Sequence, residues 1–314
     1  MRCEAFDSVL ARGVQIERSG KLRSGIFNSD GVIEDSLLRR HYGMVVDACT
    51  NPPPAAVKPG PSGTVIFGGY LRSHYGHFLL ETLSTVWALR KHPRLPIVWI
   101  PLDGMSQWLG WQLEVLDLLG ISRHRHILNC GDTHYERMLV AQPGYEIQRT
   151  FHAAQEAALG QVAPAPTLAG KRLWLSRGGS SDSTGGLVNE GALEAQLESH
   201  GWSIFIPGRH TVARQLEEIS SAQIVSGIAG SAFHSVLLLH HVSAILMPVF
   251  TRIPENENFE TIRRRKGFKQ VRVDIPRPAL EIVEKGKWHG ADTVRLLKPE
   301  LLLDPLLRAQ QLVG

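Results

Sequence analysis

The sequence is poor in cysteine and has no long apolar run. Its 314 residues include three cysteines, Cys3, Cys49 and Cys130, which lie far apart along the chain. They form neither a disulfide framework nor the close spacing of a zinc site, so we expect a reducing, cytoplasmic setting. No stretch approaches the roughly 18 consecutive apolar residues of a membrane span. The N-terminal stretch MRCEAFDSVLARG also lacks the apolar core of a signal peptide.

Two signatures of nucleotide-binding proteins are missing as well. No Asp-x-Asp motif occurs, so the chain has no acidic pair of the type that chelates a metal–nucleotide complex. The full Gly-x-Gly-x-x-Gly signature is also absent, which argues against NAD as a cofactor. The formal net charge of +4 is mild, and no basic stripe with interleaved aromatic residues occurs. Nucleic acid is therefore not an expected partner.

The overall composition, with 43% hydrophobic and 20% charged residues, is typical of a soluble globular protein. The length is suited to two domains of roughly 150 residues each. A proline-containing stretch at residues 161–170 is the best candidate for the boundary. We therefore predict an N-terminal α/β domain at residues 1–162, a second domain at residues 163–285, and a C-terminal helical tail at residues 286–314 that packs back on the first domain.

Hydrophobic patterning predicts strands that alternate with helices. In the first half, an irregular N-terminal segment ends in a proline-rich stretch at residues 51–63, and the first clear strand follows at residues 64–67. In the second half, short strands alternate with helices of about ten residues, which predicts a parallel, doubly wound sheet. Two α/β halves of this kind, joined by a linker, leave a cleft between them, and ligands favour such clefts.

The stretch HYGHFLLETLSTVWAL, residues 74–89, reads as one amphipathic helix. At 100° per residue, His74, His77 and Glu81 share an arc of about 60°, opposite the apolar face. We expect this arc to face water or a cleft. It is either a solvated polar face or a general base with its orienting partner, since an i,i+4 His–Glu pair is within side-chain reach. Arg72 and Tyr75 are expected beside it, on the acceptor side of a cleft. The order His-Glu-x-x-His is absent, so no metal ligand is assigned.

The stretch QIVSGIAGSAFHS places Gly227, Gly230 and Ser231 between an apolar strand and a helix. Glycines at such a turn let a phosphate approach the backbone, and the helix N-terminus offers unpaired N–H groups. Ser231 is a candidate cap and anion donor, and His234 in the first turn could reach the same group. The alternative interpretation is a packing device, because glycine is common at strand–helix turns.

The stretch SRGGSSDSTGGLVNE, residues 176–190, follows the first strand of the second half. Arg177 at the carboxyl end of that strand is a candidate phosphate ligand, and Glu190 is available to a hydroxyl-bearing ligand. The alternative is a surface loop with a capped helix that begins near Asn189. Further along, residues 263–266 form a dense basic cluster. It is either the exposed positive end of a helix or a contact for acidic lipid head groups or a sugar-phosphate.

Taken together, these motifs resemble glycosyltransferase family 61, the capsular-polysaccharide type. The similarity lies in YGHFLLETLSTVWAL, in LWLSRGG with LVNEGALEAQLESHGWSIFIP, and in IVSGIAGSAFHSVLLL, which occur in the family's order over about residues 68–248. The resemblance implies a GT-B fold, in which two Rossmann-like domains face each other across a cleft. It also implies inverting, metal-independent sugar transfer from a nucleotide-sugar held mainly by the C-terminal half. It assigns site roles to His77, Glu81, Arg177, Asn189, Glu190, Gly227, Gly230 and Ser231.

One position departs from the pattern of the family. Many members have a histidine between the two glycines of the turn, where this chain has Ala229. Either His234, one helical turn further on, takes over the contact, or the donor is a different one.

The sequence thus predicts an inverting glycosyltransferase that uses a UDP- or GDP-linked sugar, no further cofactor, and a glycan or lipid-linked hydroxyl acceptor. Either His77 or Glu81 is the base. The expected location is the cytoplasm, with peripheral contact at the inner membrane surface through residues 263–266. Two alternatives remain: a catalytically inactive protein that binds sugar-nucleotides or glycans, and an NAD(P)-dependent oxidoreductase. The sequence gives no indication of the oligomeric state.

Overall fold

The computed structural model describes residues 1–16, 22–40, 43–49, 51–53, 57–178, 186–251, 257–285 and 292–308. The chain divides into two compact units, Met1–Gln161 and Val162–Gly314. The division falls where the proline-containing stretch 161–170 begins. No helix in the described part of the chain is long and apolar enough to cross a membrane.

The first unit is a mixed sheet with short helices on it. Its strands are β1 (Cys3–Ile16), β2 (Leu22–Asn28), β3 (Gly31–Val32), β4 (Leu38–Arg40), β5 (Met44–Val46), β6 (Lys58–Pro59), β7 (Thr64–Leu71), β8 (Ile97–Pro101), β9 (His126–Leu128), β10 (Thr133–Ala141), β11 (Tyr145–Glu146) and β12 (Thr150–Phe151). Its α-helices are α1 (Tyr75–Leu80), α2 (Val86–Lys91), α3 (Gly110–Leu118) and α4 (Ala153–Leu159).

The main sheet of this unit has the order β3-β2-β1-β10-β7-β8-β9. The pairs from β10 through β9 are parallel, and the pairs from β3 through β10 are antiparallel. The prediction of an irregular N-terminal segment is therefore wrong, because β1, β2 and β3 form the antiparallel side of the sheet. In β1, Val9 and Ala11 are buried and their neighbours are partly exposed. This short alternation is the expected mark of a strand with one face in the core.

The segment predicted as one amphipathic helix is broken in the middle. Helix α1 ends at Leu80, a 3-10 turn spans Thr82–Thr85, and α2 follows. The hydroxyls of Thr82 and Thr85 donate to the carbonyls of Tyr70 and Gly68 in β7, at 2.8 and 2.7 Å. These bonds tie the turn to the sheet, so residues 78–89 are buried on every side. Of the three residues predicted on the outward polar arc, Glu81 is therefore buried.

The second unit is built around a parallel sheet. Its strands are β13 (Arg172–Leu175), β14 (Gly186–Leu187), β15 (Ser203–Phe205), β16 (Ile224–Ile228), β17 (Ile245–Phe250), β18 (Val273–Asp274), β19 (Leu280–Glu284) and β20 (Thr293–Leu296). Its α-helices are α5 (Glu190–Ser199), α6 (Val212–Ser221), α7 (Asn258–Lys266) and α8 (Glu300–Arg308). A 3-10 helix, Ser231–Leu238, stands where an α-helix was predicted.

The five-stranded sheet has the order β15-β13-β16-β17-β18, and all of its pairs are parallel. The predicted parallel, doubly wound sheet is confirmed. Numbered by their order along the chain, the five strands lie in the order 2-1-3-4-5 across the sheet. The chain therefore moves one way across the sheet from β13 to β15 and the other way from β16 to β18, and the direction changes between β13 and β16. Such a switch point leaves a crevice at the carboxyl ends of the two strands, where ligands of α/β proteins bind. At the start of α6, the side chain of Thr211 caps the helix by accepting from the backbone N–H of Arg214.

The C-terminal helix belongs to the second unit. Leu302 and Leu306 of α8 lie in the same buried cluster as Trp174 and Trp202. The buried residues of α8 thus contribute to the core of the second unit, and the expected packing of the tail on the first domain stays a prediction. The apolar stripe of the helix fills its own unit's core, while residues 286–291 and 309–314 lie outside the described residues.

Candidate functional site

The first group of candidate residues gathers where β7 and β8 end. The two strands are parallel and in register, with Leu71 opposite Pro101, so the residues that follow them meet at one edge of the sheet. Arg72 follows β7, and its Nη1 lies 3.2 Å from Oδ1 of Asp103, which follows β8. Asp103 also accepts from the backbone N–H and the hydroxyl of Ser73, at 2.8 and 3.0 Å. These bonds fix the turn that leads into α1.

Glu81 is the centre of this group, and its side chain is only 3% exposed. Its Oε2 lies 3.0 Å from Nδ1 of His77 and 2.8 Å from Nη2 of Arg40, and its Oε1 accepts from Nε of Arg40. Nε of Arg72 lies 3.5 Å from Oε2. The prediction that Glu81 faces water or a cleft is wrong, because its carboxylate is buried against the guanidinium groups of Arg40 and Arg72. His77 keeps 37% of its side chain exposed.

The charge state of Glu81 follows from these contacts. Burial alone would raise the pKa of the carboxyl, but the hydrogen bonds from Arg40 and His77 outweigh it and lower the pKa to about 2. Glu81 is therefore ionised at neutral pH and can only accept hydrogen bonds. The proton shared with His77 must then sit on Nδ1 of the imidazole, which leaves the lone pair of a neutral ring on Nε2.

The sequence interpretation missed three residues of this group: Arg40, Asp47 and Asp103. Asp47, just after β5, lies 3.3 Å from Nη1 of Arg72 and 4.0 Å from Nη2 of Arg40. A signal for Asp103 exists, since an acidic residue just beyond a buried parallel strand points to the ligand edge of a sheet. No local pattern marks Arg40 or Asp47, because their contacts span 41 and 25 residues of sequence.

His74 and Tyr75 lie at the start of α1, beside His77. His74 caps the helix, with its Nδ1 accepting from the backbone N–H of His77 at 3.4 Å, and the two imidazole rings lie 5.2 Å apart. The ring of Tyr75 packs 5.3 Å from that of Trp111 in α3. All five residues predicted for the first half, Arg72, His74, Tyr75, His77 and Glu81, are thus brought together. Among the described residues, no cluster of three or more His, Cys, Asp or Glu side chains could hold a metal ion.

The second group lies at the switch point of the parallel sheet. Arg177 follows β13, and Gly230 follows β16, the neighbouring strand. A Cβ on Gly230 would lie 3.6 Å from the guanidinium carbon of Arg177, so the side chain of Arg177 crosses over this glycine. Gly227 has a φ of +152°, and a Cβ there would lie 2.6 Å from the carbonyl oxygen of Leu175. Gly227 therefore allows a close approach of the strands, while Arg177 lies over the turn at Gly230.

Glu190, the first residue of α5, is buried under this edge. Its carboxylate accepts from the backbone N–H of Arg177, at 3.2 and 3.3 Å, and from Nε1 of Trp174, at 3.2 Å. Burial raises the pKa of Glu190 to about 7, despite these hydrogen bonds. The glutamate thus anchors the end of β13, immediately before the Arg177 side chain.

The remaining predicted donor residues have other contacts in the structure. Both polar groups of the Asn189 side chain pair with the backbone of Leu296, at 2.9 and 3.0 Å, which does not favour the predicted donor contact. The predicted cap role of Ser231 is wrong, because Gly230 occupies the N-cap position and no side chain caps this 3-10 helix. His234 is buried, and its ring lies 5.2 Å from that of Phe259 in α7. Residues 179–185 of the glycine- and serine-rich stretch lie outside the described residues.

The basic cluster at residues 263–266 is largely engaged within its own unit. Arg263 and Arg264 both pair with Glu260, at 2.7 and 2.6 Å, and Nζ of Lys266 donates to the carbonyl of Leu239. Gly267, with a φ of +73°, then ends the helix. These contacts fit the positive end of a helix better than a surface that is free to bind lipid head groups.

The chain therefore combines a mixed α/β unit that carries a carboxylate-bound histidine with a second α/β unit that carries an arginine at the switch point of its parallel sheet. A positioned base and a cationic group near a leaving phosphate both occur in enzymes that transfer groups from phosphorylated donors. The family model Glycosyltransferase 61 matches residues 75–246, which is more than half of the chain. The chain belongs to glycosyltransferase family 61, as the motifs predicted, and this membership indicates glycosyltransferase activity with a donor and an acceptor substrate. Comparison with curated proteins gives no match.

Proposed function

We propose that the protein is an inverting, metal-independent glycosyltransferase that transfers a sugar from a nucleoside-diphosphate donor to a hydroxyl of a glycan or a lipid-linked glycan. The observation that carries the proposal is the hydrogen bond between His77 and the buried, ionised Glu81, within the segment that matches the family. A GT-B arrangement is part of the proposal. It assigns the acceptor to the first unit and the donor to the second.

Of the two candidate bases, we assign the role to His77. A carboxylate with a pKa of about 2 has little tendency to take up a proton at neutral pH, and both oxygens of Glu81 are already bonded. The imidazole, in contrast, is partly exposed and has its Nε2 lone pair available. Glu81 then orients the ring and stabilises the imidazolium that forms, which is the division of labour in a carboxylate–histidine pair.

The reaction that we propose is a single displacement. The acceptor oxygen attacks the anomeric carbon as the bond between that carbon and the phosphate oxygen breaks, so the configuration inverts. The hydroxyl proton passes to Nε2 of His77, and the departing electron pair stays on the nucleoside diphosphate.

Arg177 is our candidate for stabilising that leaving group. A guanidinium pairs strongly with phosphate oxygens, and it lies over a glycine turn at a switch point. Backbone N–H groups at the start of the 3-10 helix Ser231–Leu238 would add donors. We propose a UDP- or GDP-linked sugar as the donor, with Gly227, Gly230 and Ser231 around its phosphates.

A second candidate function is that of a sugar-nucleotide-binding protein without catalysis. Ala229 favours it, because it stands where many family members have a histidine. The backbone N–H of Ala229 donates to the carbonyl of Val249, at 2.9 Å. The family membership does not favour the NAD(P)-dependent oxidoreductase that the sequence left open.

The proposal is tested with a panel of UDP- and GDP-sugars, using released nucleotide as the measure of slow donor hydrolysis and thermal shift as the measure of binding. We expect His77→Ala to lower turnover by about 10²–10⁴-fold, the usual contribution of a general base. Donors should still raise the melting temperature of this variant, because a ligand that binds only the folded state stabilises it. Near-normal turnover in His77→Ala would show that another residue is the base. Donor binding without turnover in the wild type would favour the second candidate.

A further inference from the structure

We infer that Arg40, on the β4–β5 hairpin, is a positioning residue that holds Glu81 as an anion and thereby keeps the proton of His77 on Nδ1 and its lone pair on Nε2. The inference rests on the proposed role of His77 as the base. It adds a residue that lies outside the segment matched to the family, since that segment begins at residue 75.

The geometry between Arg40 and Glu81 is that of a guanidinium–carboxylate fork. Nε of Arg40 donates to Oε1 of Glu81, and Nη2 donates to Oε2 at 2.8 Å. The same Oε2 faces Nδ1 of His77 at 3.0 Å. Arg40 and His77 therefore contact the same carboxylate. Because both bond to Oε2 of Glu81, a substitution of Arg40 changes the hydrogen bond that Glu81 makes with the imidazole.

Other charged groups around Glu81 cannot replace Arg40. Arg72 approaches the carboxylate only to 3.5 Å and is itself paired with Asp47 and Asp103, at 3.3 and 3.2 Å. The charged groups around Glu81 are thus two arginines, the carboxylates of Asp47 and Asp103, and His77, with the imidazole of His74 beside His77. Removal of the Arg40 charge leaves one guanidinium among three carboxylates, in a place where Glu81 is almost fully buried.

The consequence for the histidine follows from the protonation of Glu81. Burial raises the tendency of this carboxyl to take up a proton, and Arg40 is the main group that opposes it. A protonated Glu81 would donate its O–H to Nδ1 of His77. The proton of the neutral ring would then sit on Nε2, where the acceptor hydroxyl needs a lone pair.

The hairpin also provides a matched control. Arg39 precedes Arg40 on β4, and successive side chains of a strand point to opposite faces. Arg39 pairs with Glu34 and donates to the carbonyl of Gly43 at 3.1 Å, away from Glu81. The variants Arg40→Gln and Arg39→Gln remove the same charge from neighbouring positions, and only one of them touches the proposed relay.

The first measurement needs no substrate. In imidazole ¹H–¹⁵N spectra, with the His77 signal identified by its loss in His77→Ala, we expect the Nδ1–H tautomer in the wild type and in Arg39→Gln. In Arg40→Gln we expect a shift towards Nε2–H that grows as the pH falls from 8 to 6. An unchanged tautomer in Arg40→Gln, or the same shift in Arg39→Gln, overturns the inference. The tautomer of His77 can be measured even if the protein turns over no donor. Failure of the inference about Arg40 can therefore be told apart from failure of the proposed function.

The second measurement uses the reaction. For Arg40→Gln we expect kcat to fall by about 10–100-fold at pH 7, less than the full contribution of a base, with the KM for the donor unchanged. The acidic limb of the pH profile should move to higher pH. Arg40→Lys keeps the charge but not the fork, so the limb should move in the same direction by a smaller amount. This variant carries the test if Arg40→Gln does not fold, and a pH profile identical to the wild type in a folded Arg40→Lys contradicts the inference.

Discussion

The guanidinium of Arg177 lies against Gly230, with 3.6 Å between the guanidinium carbon and the position that a Cβ would take. The two residues follow neighbouring parallel strands, β13 and β16, whose connections run in opposite directions. A side chain with a permanent positive charge thus lies over a bare backbone turn at the point of the sheet where anionic ligands are expected. Alanine variants of Gly227 and Gly230 can separate the packing role of these glycines from their proposed role in phosphate binding.

The two glycines of the turn should respond very differently to alanine. Gly227 has a φ of +152°, and a Cβ would lie 2.6 Å from the carbonyl oxygen of Leu175, so Gly227→Ala combines backbone strain with a clash. We expect a loss of about 2–4 kcal/mol in the free energy of unfolding, measured with denaturant. Gly230 has an extended backbone and ordinary contact distances. Gly230→Ala should therefore stay within about 1 kcal/mol of the wild type.

These two variants also test the phosphate interpretation. If Gly230 lets a donor phosphate approach the turn, Gly230→Ala should bind UDP or GDP more weakly while it remains as stable as the wild type. Unchanged affinity in a stable Gly230→Ala would favour the alternative that the glycine is a packing device.

Replacement of Arg177 should weaken donor binding. Its side chain is proposed to pair with phosphate, and charge-assisted hydrogen bonds are among the strong ones. We expect Arg177→Ala to raise the Kd for UDP or GDP at least about tenfold, which corresponds to about 1.4 kcal/mol. Isothermal titration calorimetry of the free nucleotides measures this directly. The KM of the acceptor should not change, since the acceptor is assigned to the other unit.

A suitable control is Arg172, at the beginning of β13. Its Nη2 donates to the carbonyl of His200 at 2.9 Å, and its guanidinium lies over the ring of Trp202. Arg172→Ala removes the same charge as Arg177→Ala, but at the opposite end of the same strand, so nucleotide affinity should remain that of the wild type. Equal losses of affinity in both variants would point to a general effect of charge and against a specific phosphate contact.

The fold was predictable from sequence where elements are local and regular. In the second unit, the alternation of short apolar runs with amphipathic segments was sufficient to predict the parallel sheet. In the first unit, it was not. The strand pairs β1–β10 and β1–β2 depend on partners far along the chain, with Cys3 opposite Ala141. The 3-10 break after Glu81 depends on hydroxyl bonds to β7, which the helical periodicity of residues 74–89 does not contain.

The same limit applies to the first site. The sequence brought His77 and Glu81 together, because four residues of helix place them side by side. It gave the wrong surroundings for Glu81, since Arg40 reaches the carboxylate from a hairpin 41 residues away. That distant arginine is also the reason for choosing between the two candidate bases. A local pattern could name the pair, but only the long-range contact determines the charge state of the glutamate.

The pH dependence of stability should reveal the buried Glu190. Its pKa in the folded protein, about 7, is above the ordinary value of 4.5, so folding takes up a proton between these pH values. The free energy of unfolding therefore falls as the pH rises from about 4.5 through 7. Above pH 7, where Glu190 is ionised in both states, the full loss of stability is present. The difference between these pKa values corresponds to roughly 3 kcal/mol. Glu190→Gln removes this titration and keeps an oxygen that can accept from Arg177 and Trp174.

We therefore expect the stability of Glu190→Gln, relative to the wild type, to increase from pH 5 to pH 8. Denaturant unfolding at several pH values provides the measurement. Glu198→Gln on the same helix is the control, because Glu198 is exposed and its replacement should not alter the pH dependence. A constant difference between Glu190→Gln and the wild type would mean that Glu190 keeps its charge in the folded protein. In that case the hydrogen bonds from Trp174 and Arg177 would outweigh the cost of its burial.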